Sequence, residues 1–310
     1  MPAYMGSASK QQEVLQVNAT WWKNLKRDIP GYLFIAPSLI CFLVFLAYPA
    51  VEAVRISFYQ LNMKQSRFIG LDNFRKLFYD ETFLTAFGNT FKYVIYIVPI
   101  CVAFSILIAV LIQHKSEKTA AFYRGVFYIP VVASVVSVSL VWGAAFEPVI
   151  GILNYFLSLL NIAPVTWLAD PNTAFFSLVF VIISWSVGQP IILYSAALGG
   201  ISNDYYEAAS LDGAGRFRKF VSITWPLVKP TTLYILVVTT IHAFQTFAVI
   251  NLLTKGGPYG TTTTIIYELY QNAFVYTDFG YASAMGTVLF VVIGIISYFQ
   301  FRFTTAKIEY

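Results

Sequence analysis

The sequence predicts an all-α integral membrane protein with six transmembrane helices. Of its 310 residues, 58% are hydrophobic and 11% are charged, which is more apolar side chain than a soluble domain can enclose. A helix needs about 20 mostly apolar residues to cross a bilayer. Six runs meet this requirement, at 31–51, 90–112, 125–146, 174–199, 231–253 and 283–303. They leave no room for a separate soluble enzyme domain.

The distribution of positive charge predicts the orientation of these helices. Membrane proteins keep loops that are rich in Lys and Arg in the cytoplasm. Most of the 20 Lys and Arg residues precede the first run or follow the second, fourth and sixth runs. We therefore expect both termini to be cytoplasmic and attribute the net charge of +5 to membrane orientation rather than to nucleic-acid binding.

The first half of the chain divides into spans and outer loops. Residues 1–30 are expected to form a cytoplasmic tail that ends in an interfacial stub, where Trp21 and Trp22 precede Lys23. The loop after the first run is expected to hold short amphipathic helices on the membrane surface, because its aromatic and Leu side chains repeat at helical spacing. These side chains are Phe74, Leu77, Phe78, Phe83 and Phe87.

In the middle of the chain, the third run contains Pro130 and small side chains that let membrane helices approach closely. The apolar patch Ile152–Leu160 is too short to span. The fourth run is expected to break near its midpoint, at Gly188-Gln189-Pro190. A turn at Gly256-Gly257-Pro258 follows the fifth run, and residues 305–310 are expected to form a tail after the transmembrane domain at 31–304.

A polar interval at Tyr205–Pro230 separates the fourth and fifth runs. Ser202 or Asn203 can cap a short helix there, and Gly213 can end it. A second short helix is predicted from about Arg216 to a stop at Pro226. A helix-turn-helix with small side chains on its face is suited to lying in a groove of another protein.

The spacing of residues in this interval is specific. Glu207-Ala208-Ala209 is followed after two residues by Asp212-Gly213-Ala214, and then by Ile223 and Pro226. This pattern resembles the EAA coupling loop of binding-protein-dependent ABC importer permeases, with Trp225 where that family usually has Leu. Other segments, including Gly70-Leu71-Asp72-Asn73-Phe74, resemble the carbohydrate-uptake branch, and in particular the larger membrane subunit of maltose transporters without its extra N-terminal spans.

The resemblance covers roughly residues 31–303 and implies the transmembrane domain of a type I ABC importer, with a coupling loop at 202–228. It implies a permease subunit in a bacterial or archaeal cell membrane that carries a sugar or oligosaccharide. The implied partners are a second homologous permease, two ATP-binding subunits that hold ATP and Mg, an extracytoplasmic solute-binding protein and membrane lipid. The residues implied to contact the ATPase are Tyr206, Glu207, Ala208, Ala209, Asp212, Gly213, Ala214, Arg216 and Pro226.

The sequence contains no candidate catalytic or metal site. There is no GxxxxGK[ST] phosphate loop and no GxSxG nucleophile motif, and no pair of carboxylates lies within a span. The two His residues lie far apart and both Cys residues fall inside spans, so no metal site is predicted. We expect no cofactor in this chain and no enzymatic activity of its own.

Polar and aromatic side chains at membrane depth are the candidate substrate ligands. They are Trp185, Gln189, His242, Gln245, Thr246 and Asn251. Neutral hydrogen-bonding groups and rings suit an uncharged ligand rich in hydroxyl groups. Each of them could instead be an interhelical hydrogen-bond partner, and resemblance to the maltose permease favours Gln245 and Thr246 as ligands.

Two other classes of function stay open at this point. A secondary, ion-coupled carrier could work as a homodimer, but such carriers place carboxylates in their spans, and these spans contain essentially none. A membrane enzyme that modifies glycans would need a catalytic pair, which the sequence does not offer.

Overall fold

The computed structural model describes residues 31–63 and 65–305, so the predicted tail at 1–30 and residues 306–310 lie outside it. The chain divides into two units, Met1–Arg55 and Ile56–Tyr310. The described part of the first unit is most of helix α1, Gly31–Ile56, which is long and apolar enough to cross a membrane. It contains a π-helical turn at Leu43–Ala47.

The second unit begins with a hairpin and a short helix that the sequence did not predict in this form. Strands β1 (Tyr59–Leu61) and β2 (Ser66–Phe68) pair antiparallel, and α2 follows at Asp72–Leu77. The Asn73 amide donates to the carbonyl oxygens of Ser57 and Tyr59, at 2.9 Å each. These contacts between residues 14 and 16 positions apart hold the hairpin against α2, which local sequence patterns do not reveal.

The expected run of surface helices in this loop is wrong in two respects. Phe78 lies beyond the end of α2 and is exposed, whereas Leu77 is buried, so they do not share one face. Phe83 and Phe87 belong to the long α3, Glu81–Gln113, which begins well before the predicted start at 90. Asp80 caps this helix by accepting from the backbone N–H groups of Thr82 (2.9 Å) and Phe83 (3.3 Å).

The third apolar run is not one straight helix. Helices α4 (Glu117–Val132) and α5 (Val135–Ala145) meet at an angle of 98°. Ala133 has an extended backbone, and the Ser134 hydroxyl caps α5 by accepting from the Val136 N–H (3.3 Å). The small residues at this position therefore start a new helix, which the prediction of a single span did not foresee.

The predicted break in the fourth run is confirmed. Helix α7 (Pro171–Ser186) and helix α8 (Gly188–Gly199) are bent by 45° at Val187. Gly188 lies so close to α4 that a Cβ there would be 2.2 Å from the Phe127 carbonyl oxygen. The patch between the third and fourth runs forms α6, Ile152–Leu159, which is too short to span, as predicted.

The remaining helices follow the polar interval. They are α9 (Asn203–Leu211), α10 (Arg216–Lys219), a π-helical turn at Phe220–Thr224, α11 (Trp225–Phe244), α12 (Ala248–Leu253), α13 (Ile265–Tyr270) with a π-helical turn at Gln271–Val275, and α14 (Phe279–Thr305). Helix α14 thus includes Thr305, the first residue of the predicted tail, and the rest of that tail lies outside the described residues.

The predicted helix stop at Pro226 is wrong. The chain continues through α10 and the π-helical turn into α11, with Pro226 in the first turn of α11. A proline is tolerated there, because the π-helical turn interrupts the regular hydrogen-bond ladder that its ring would otherwise break. The predicted fifth span at 231–253 is in turn interrupted at 245–247, between α11 and α12.

The core of the second unit forms where α3 packs against α8 and α11. Its buried apolar side chains include Ile106 of α3, Tyr194 of α8 and Ile235 of α11. Hydrogen bonds connect elements that are distant in sequence, as where the Tyr194 hydroxyl donates to Thr232 Oγ1 (3.0 Å). Across the described residues, four single helices could cross a membrane, or six candidate spans if each bent pair is counted as one.

Candidate coupling loop and intramembrane cavity

Helices α9 and α10 form a helix-turn-helix whose ends are closed by local hydrogen bonds. The Ser202 hydroxyl accepts from the Asp204 N–H (3.3 Å), which confirms Ser202 as the cap. At the other end, the Gly213 N–H donates to the Ser210 carbonyl (3.1 Å) and the Ala214 N–H to the Ala209 carbonyl (2.9 Å). This is a Schellman motif, and Gly213 has the φ of +74° that it requires.

A side-chain contact joins this loop to the base of α11. The hydroxyl groups of Tyr206 and Thr224 are 2.9 Å apart and share a hydrogen bond. Thr224 is buried and ends the π-helical turn that precedes α11. The Ser210 hydroxyl donates to the Tyr206 carbonyl (2.6 Å) and in turn accepts from the Lys219 ammonium. These contacts tie α9 to α10 and to α11.

Most of the predicted coupling residues lie on the surface of this loop. The exposed ones are Glu207, Ala208, Asp212, Gly213, Arg216 and Pro226, while Tyr206, Ala209 and Ala214 are half-buried. The sequence analysis missed two apolar side chains on the same loop, Leu211 and Phe217, which are 91% and 81% exposed. They could have been predicted from the sequence, because both are large apolar residues in a polar interval next to the recognised motif.

A cavity of about 400 Å³ lies among helices α3, α4, α5, α7, α8, α11 and α12. It brings together five of the six candidate substrate ligands, Trp185, Gln189, His242, Gln245 and Thr246. Asn251 is not among the residues that line it. The sequence analysis missed other lining residues, among them Ser186, Tyr234, Thr239 and Phe247.

Three breaks in the helices border this cavity. Gln189 lies in the first turn of α8 just after the bend at Val187, and Gln245 caps the end of α11. Trp185 donates from its indole nitrogen to the carbonyl of Ala133 (3.3 Å), at the bend between α4 and α5. Irregular backbone at membrane depth is stable only where protein covers it or where it lines a cavity. The breaks therefore mark the region where polar groups are accessible inside the bundle.

The polar groups in the cavity are neutral amides, an imidazole and hydroxyl groups. Gln189, His242 and Gln245 are exposed, and no side-chain hydrogen bond joins them to another described residue. The Thr246 hydroxyl, in contrast, donates to the His242 carbonyl (3.4 Å). No Asp, Glu, Lys or Arg is among the described residues that line the cavity. The cavity can thus offer hydrogen bonds and ring faces to a ligand.

No group of three or more His, Cys, Asp and Glu side chains in the described part of the chain could hold a metal ion. Cys101 is buried, and its Sγ atom lies 3.8 Å from the Ser186 hydroxyl.

The family model described as "Binding-protein-dependent transport system inner membrane component" matches residues 78–310, which include both the loop and the cavity. This chain belongs to that family. It is a membrane subunit of a transporter rather than an enzyme, and the predicted assignment to the ABC importer permeases is confirmed. Nothing supports the alternative of an ion-coupled carrier.

Several permeases of known sequence resemble this one along nearly their whole length. The probable ABC transporter permease protein YesP of Bacillus subtilis is 34% identical over 292 residues, covering 92% of this chain and 93% of YesP. YurN of Bacillus subtilis is 36% identical over 286 residues, covering 90% of this chain and 97% of YurN. The sn-glycerol-3-phosphate transport system permease protein UgpA of Escherichia coli is 32% identical over 284 residues, covering 90% and 95%.

Solved structures resemble the permease in fold. A chain of a bacterial ABC transporter involved in the import of the acidic polysaccharide alginate superposes with a TM-score of 0.85 at 28% identity, covering 94% of this chain and 100% of the other. A chain of a bacterial alginate transporter in complex with a periplasmic protein that holds an alginate pentasaccharide gives 0.81 at 29% identity, covering 90% and 95%. The predicted fold class is thereby confirmed.

Proposed function

We propose that this permease is one of two transmembrane subunits of an ATP-driven importer for a sugar or oligosaccharide, with both termini in the cytoplasm. A second permease completes the pathway, two ATP-binding subunits contact the coupling loop, and a solute-binding protein delivers the saccharide from outside. The proposal for the binding protein is supported by the alginate transporter that was solved together with its periplasmic protein.

The observation that carries the proposal is the exposure of apolar side chains on the coupling loop. Leu211 and Phe217 are almost fully exposed, and Arg216, Arg218 and Lys219 beside Phe217 keep this loop out of lipid. Exposed apolar side chains in water are unfavourable by about 25 cal/mol per Å² of apolar surface, and together such side chains mark an interaction site. The family resemblance implies that these side chains are buried in a groove of an ATP-binding subunit.

The path from the loop to the cavity follows one helix. The Tyr206–Thr224 hydrogen bond (2.9 Å) connects α9 to the base of α11. The opposite end of α11 carries His242 and is capped by Gln245, both of which line the cavity. A displacement of α9 by the closing ATPase would therefore move the base of α11 and change the exposure of the cavity, as alternating access requires.

The chemistry of the cavity supports a saccharide as the transported solute. Amide, imidazole and hydroxyl groups match the donors and acceptors of sugar hydroxyls, and Trp185 and Tyr234 offer rings against which the apolar face of a sugar can pack. UgpA is named for sn-glycerol 3-phosphate and the solved relatives for alginate, and both solutes carry hydroxyl groups.

The test is uptake by the complete transporter, reconstituted in proteoliposomes with its own partner subunits and binding protein. We expect ATP-dependent uptake of at least one of three labelled trisaccharides, maltotriose, xylotriose or a mannuronate trisaccharide. Uptake of glycerol 3-phosphate alone, or uptake that continues without ATP, would contradict the proposal.

The contact with the ATPase is tested separately. Leu211→Glu and Phe217→Glu should release the ATP-binding subunits from a tagged permease during purification, because each places a charge in the apolar contact. Lys118→Glu, an exposed substitution near the start of α4, is the control and should leave the complex intact. Equal recovery of ATP-binding subunits from all three variants would show that the contact lies elsewhere.

A further inference from the structure

We propose that the rings of Phe247, Tyr270 and Phe274 form a saccharide-binding track that connects the cavity with the outer face of the permease. The inference rests on the proposed function. It assigns a second, more superficial binding site to residues that neither the sequence analysis nor the coupling mechanism uses.

The three rings are neighbours in one row. The Phe247 and Tyr270 ring centroids are 5.0 Å apart, and the Tyr270 and Phe274 centroids are 5.4 Å apart. Their planes are inclined by 49° and 38°. Tyr267 lies beside the inner end of the row, with its ring stacked on Phe247 at 6.4 Å. A molecule that leaves one ring therefore meets the next one directly.

The row begins in the cavity and ends at the surface. Phe247 lines the cavity at the break between α11 and α12. Tyr270 is 36% exposed and Phe274 68% exposed. Both lie in the segment between α12 and α14, which connects the fifth and sixth spans, whereas the coupling loop connects the fourth and fifth. The row therefore leads to the membrane face opposite the coupling loop.

Hydrogen bonds hold α13 in register with the cavity. The Thr264 hydroxyl donates to the Thr246 carbonyl (3.1 Å), next to Phe247, and accepts from the Tyr267 N–H (3.4 Å). The Gln271 amide donates to the Tyr267 hydroxyl (2.8 Å). The rings are thus placed by fixed backbone rather than by a free loop, which lowers the entropic cost of binding.

The chemistry of the row suits a saccharide in transit. Aromatic faces pack against the apolar C–H face of a sugar ring, while the cavity amide of Gln245, in the same break as Phe247, offers hydrogen bonds. Glu268, the only charged residue of α13, accepts a hydrogen bond from the Thr263 hydroxyl (2.6 Å). A series of weak, similar contacts also favours passage, since conduction needs binding that is strong enough to admit a solute and weak enough to release it.

The test compares uptake rates of the complete transporter in proteoliposomes at saturating binding protein. The probes are whichever of the three trisaccharides gives the highest uptake and its own monosaccharide, glucose, xylose or mannuronate. Phe274→Leu and Tyr270→Leu should each lower the maximum rate for the trisaccharide about fivefold, the factor that corresponds to one lost ring contact. The monosaccharide, which spans fewer rings, should lose less.

Two variants serve as matched controls. Tyr270→Phe keeps the ring and should recover most of the trisaccharide rate that Tyr270→Leu loses. Phe290→Leu removes a 71% exposed ring from α14 that pairs with no described aromatic side chain, and it should change neither rate. Copurification of the second permease and the ATP-binding subunits confirms that each variant assembles.

The possible outcomes separate the track from the function. If Phe274→Leu behaves like Phe290→Leu, the outer rings only face lipid and the track is refuted. Loss of the second permease from Phe274→Leu would show instead that the rings form a subunit contact. If wild-type transporter takes up a monosaccharide but no trisaccharide, the proposed function stands and the track is refuted. If it takes up neither, the proposed function has failed and the track fails with it.

Discussion

Gly213 is the residue of the coupling loop whose replacement has the most predictable cost. Its φ is +74°, in the left-handed region, and a Cβ built on it would meet no atom within 4 Å. The cost of Gly213→Ala is therefore conformational rather than steric, about 1–2 kcal/mol for an L-residue in this region. It acts on the two hydrogen bonds that close α9, from Gly213 to Ser210 and from Ala214 to Ala209.

The consequence for transport follows from this cost. A penalty of ~1.4 kcal/mol corresponds to about a tenfold lower population of the correctly closed turn. We expect Gly213→Ala to raise the number of ATP molecules hydrolysed per trisaccharide imported, with a smaller rise for Gly213→Asn, because Asn tolerates left-handed backbone better. ATP hydrolysis and uptake are measured on the same proteoliposomes.

Gly215 provides the matched control two residues away. Its φ is −70° and a Cβ there would also meet nothing within 4 Å, so Gly215→Ala should keep wild-type coupling. If Gly213→Ala and Gly215→Ala gave the same ATP-to-solute ratio, the left-handed turn would have no role in coupling, and the reasoning would be refuted.

Three further predictions concern the rest of the second unit. Thr224→Val and Tyr206→Phe should each lower the free energy of unfolding by about 1 kcal/mol, whereas Thr224→Ser, which keeps a hydroxyl group, should retain the wild-type value. Because both side chains share one hydrogen bond, the double variant should lose less than the sum of the single losses. Additive losses in thermal unfolding would argue against the shared hydrogen bond. Burial raises the pKa of Glu268 above its ordinary value of 4.5, so stability present at low pH should be lost as the pH rises through this raised pKa. Glu268→Gln should remove this contribution, so the melting temperature should fall more in the wild type than in the variant between about pH 5 and about pH 8. Equal falls in the two proteins would contradict the assignment. Gly188→Ala should cost about 1–3 kcal/mol, because its Cβ would meet a backbone carbonyl oxygen at 2.2 Å, whereas Gly199→Ala, which meets nothing, should melt like the wild type.

Features that depend on neighbours in sequence were predictable without a structure. Ser202 caps α9, Gly213 ends it, and the Gly188-Gln189-Pro190 break bends the fourth run. Each results from the backbone requirements of one or two residues, which stay the same in any tertiary context. The apolar composition likewise determined that the chain crosses a membrane, because only helices can satisfy their backbone groups in lipid.

Helix continuity was less predictable. A proline such as Pro226 usually ends a helix, but here a π-helical turn precedes it and the helix continues. Conversely, small residues at 133–134 allowed a 98° bend where hydropathy indicated one span. Hydropathy does not distinguish a continuous helix from a bent one, since both keep the same side chains in an apolar environment.

The cavity and the aromatic track were decided by tertiary structure alone. Trp185 reaches the carbonyl of Ala133 across 52 positions, and Phe247 pairs with Tyr270 across a loop and a separate helix. The sequence determined which polar and aromatic side chains lie at membrane depth. It did not determine which of them face lipid, pack in the core or line a cavity, because all three environments favour the same apolar pattern and only the packing of distant helices distinguishes them.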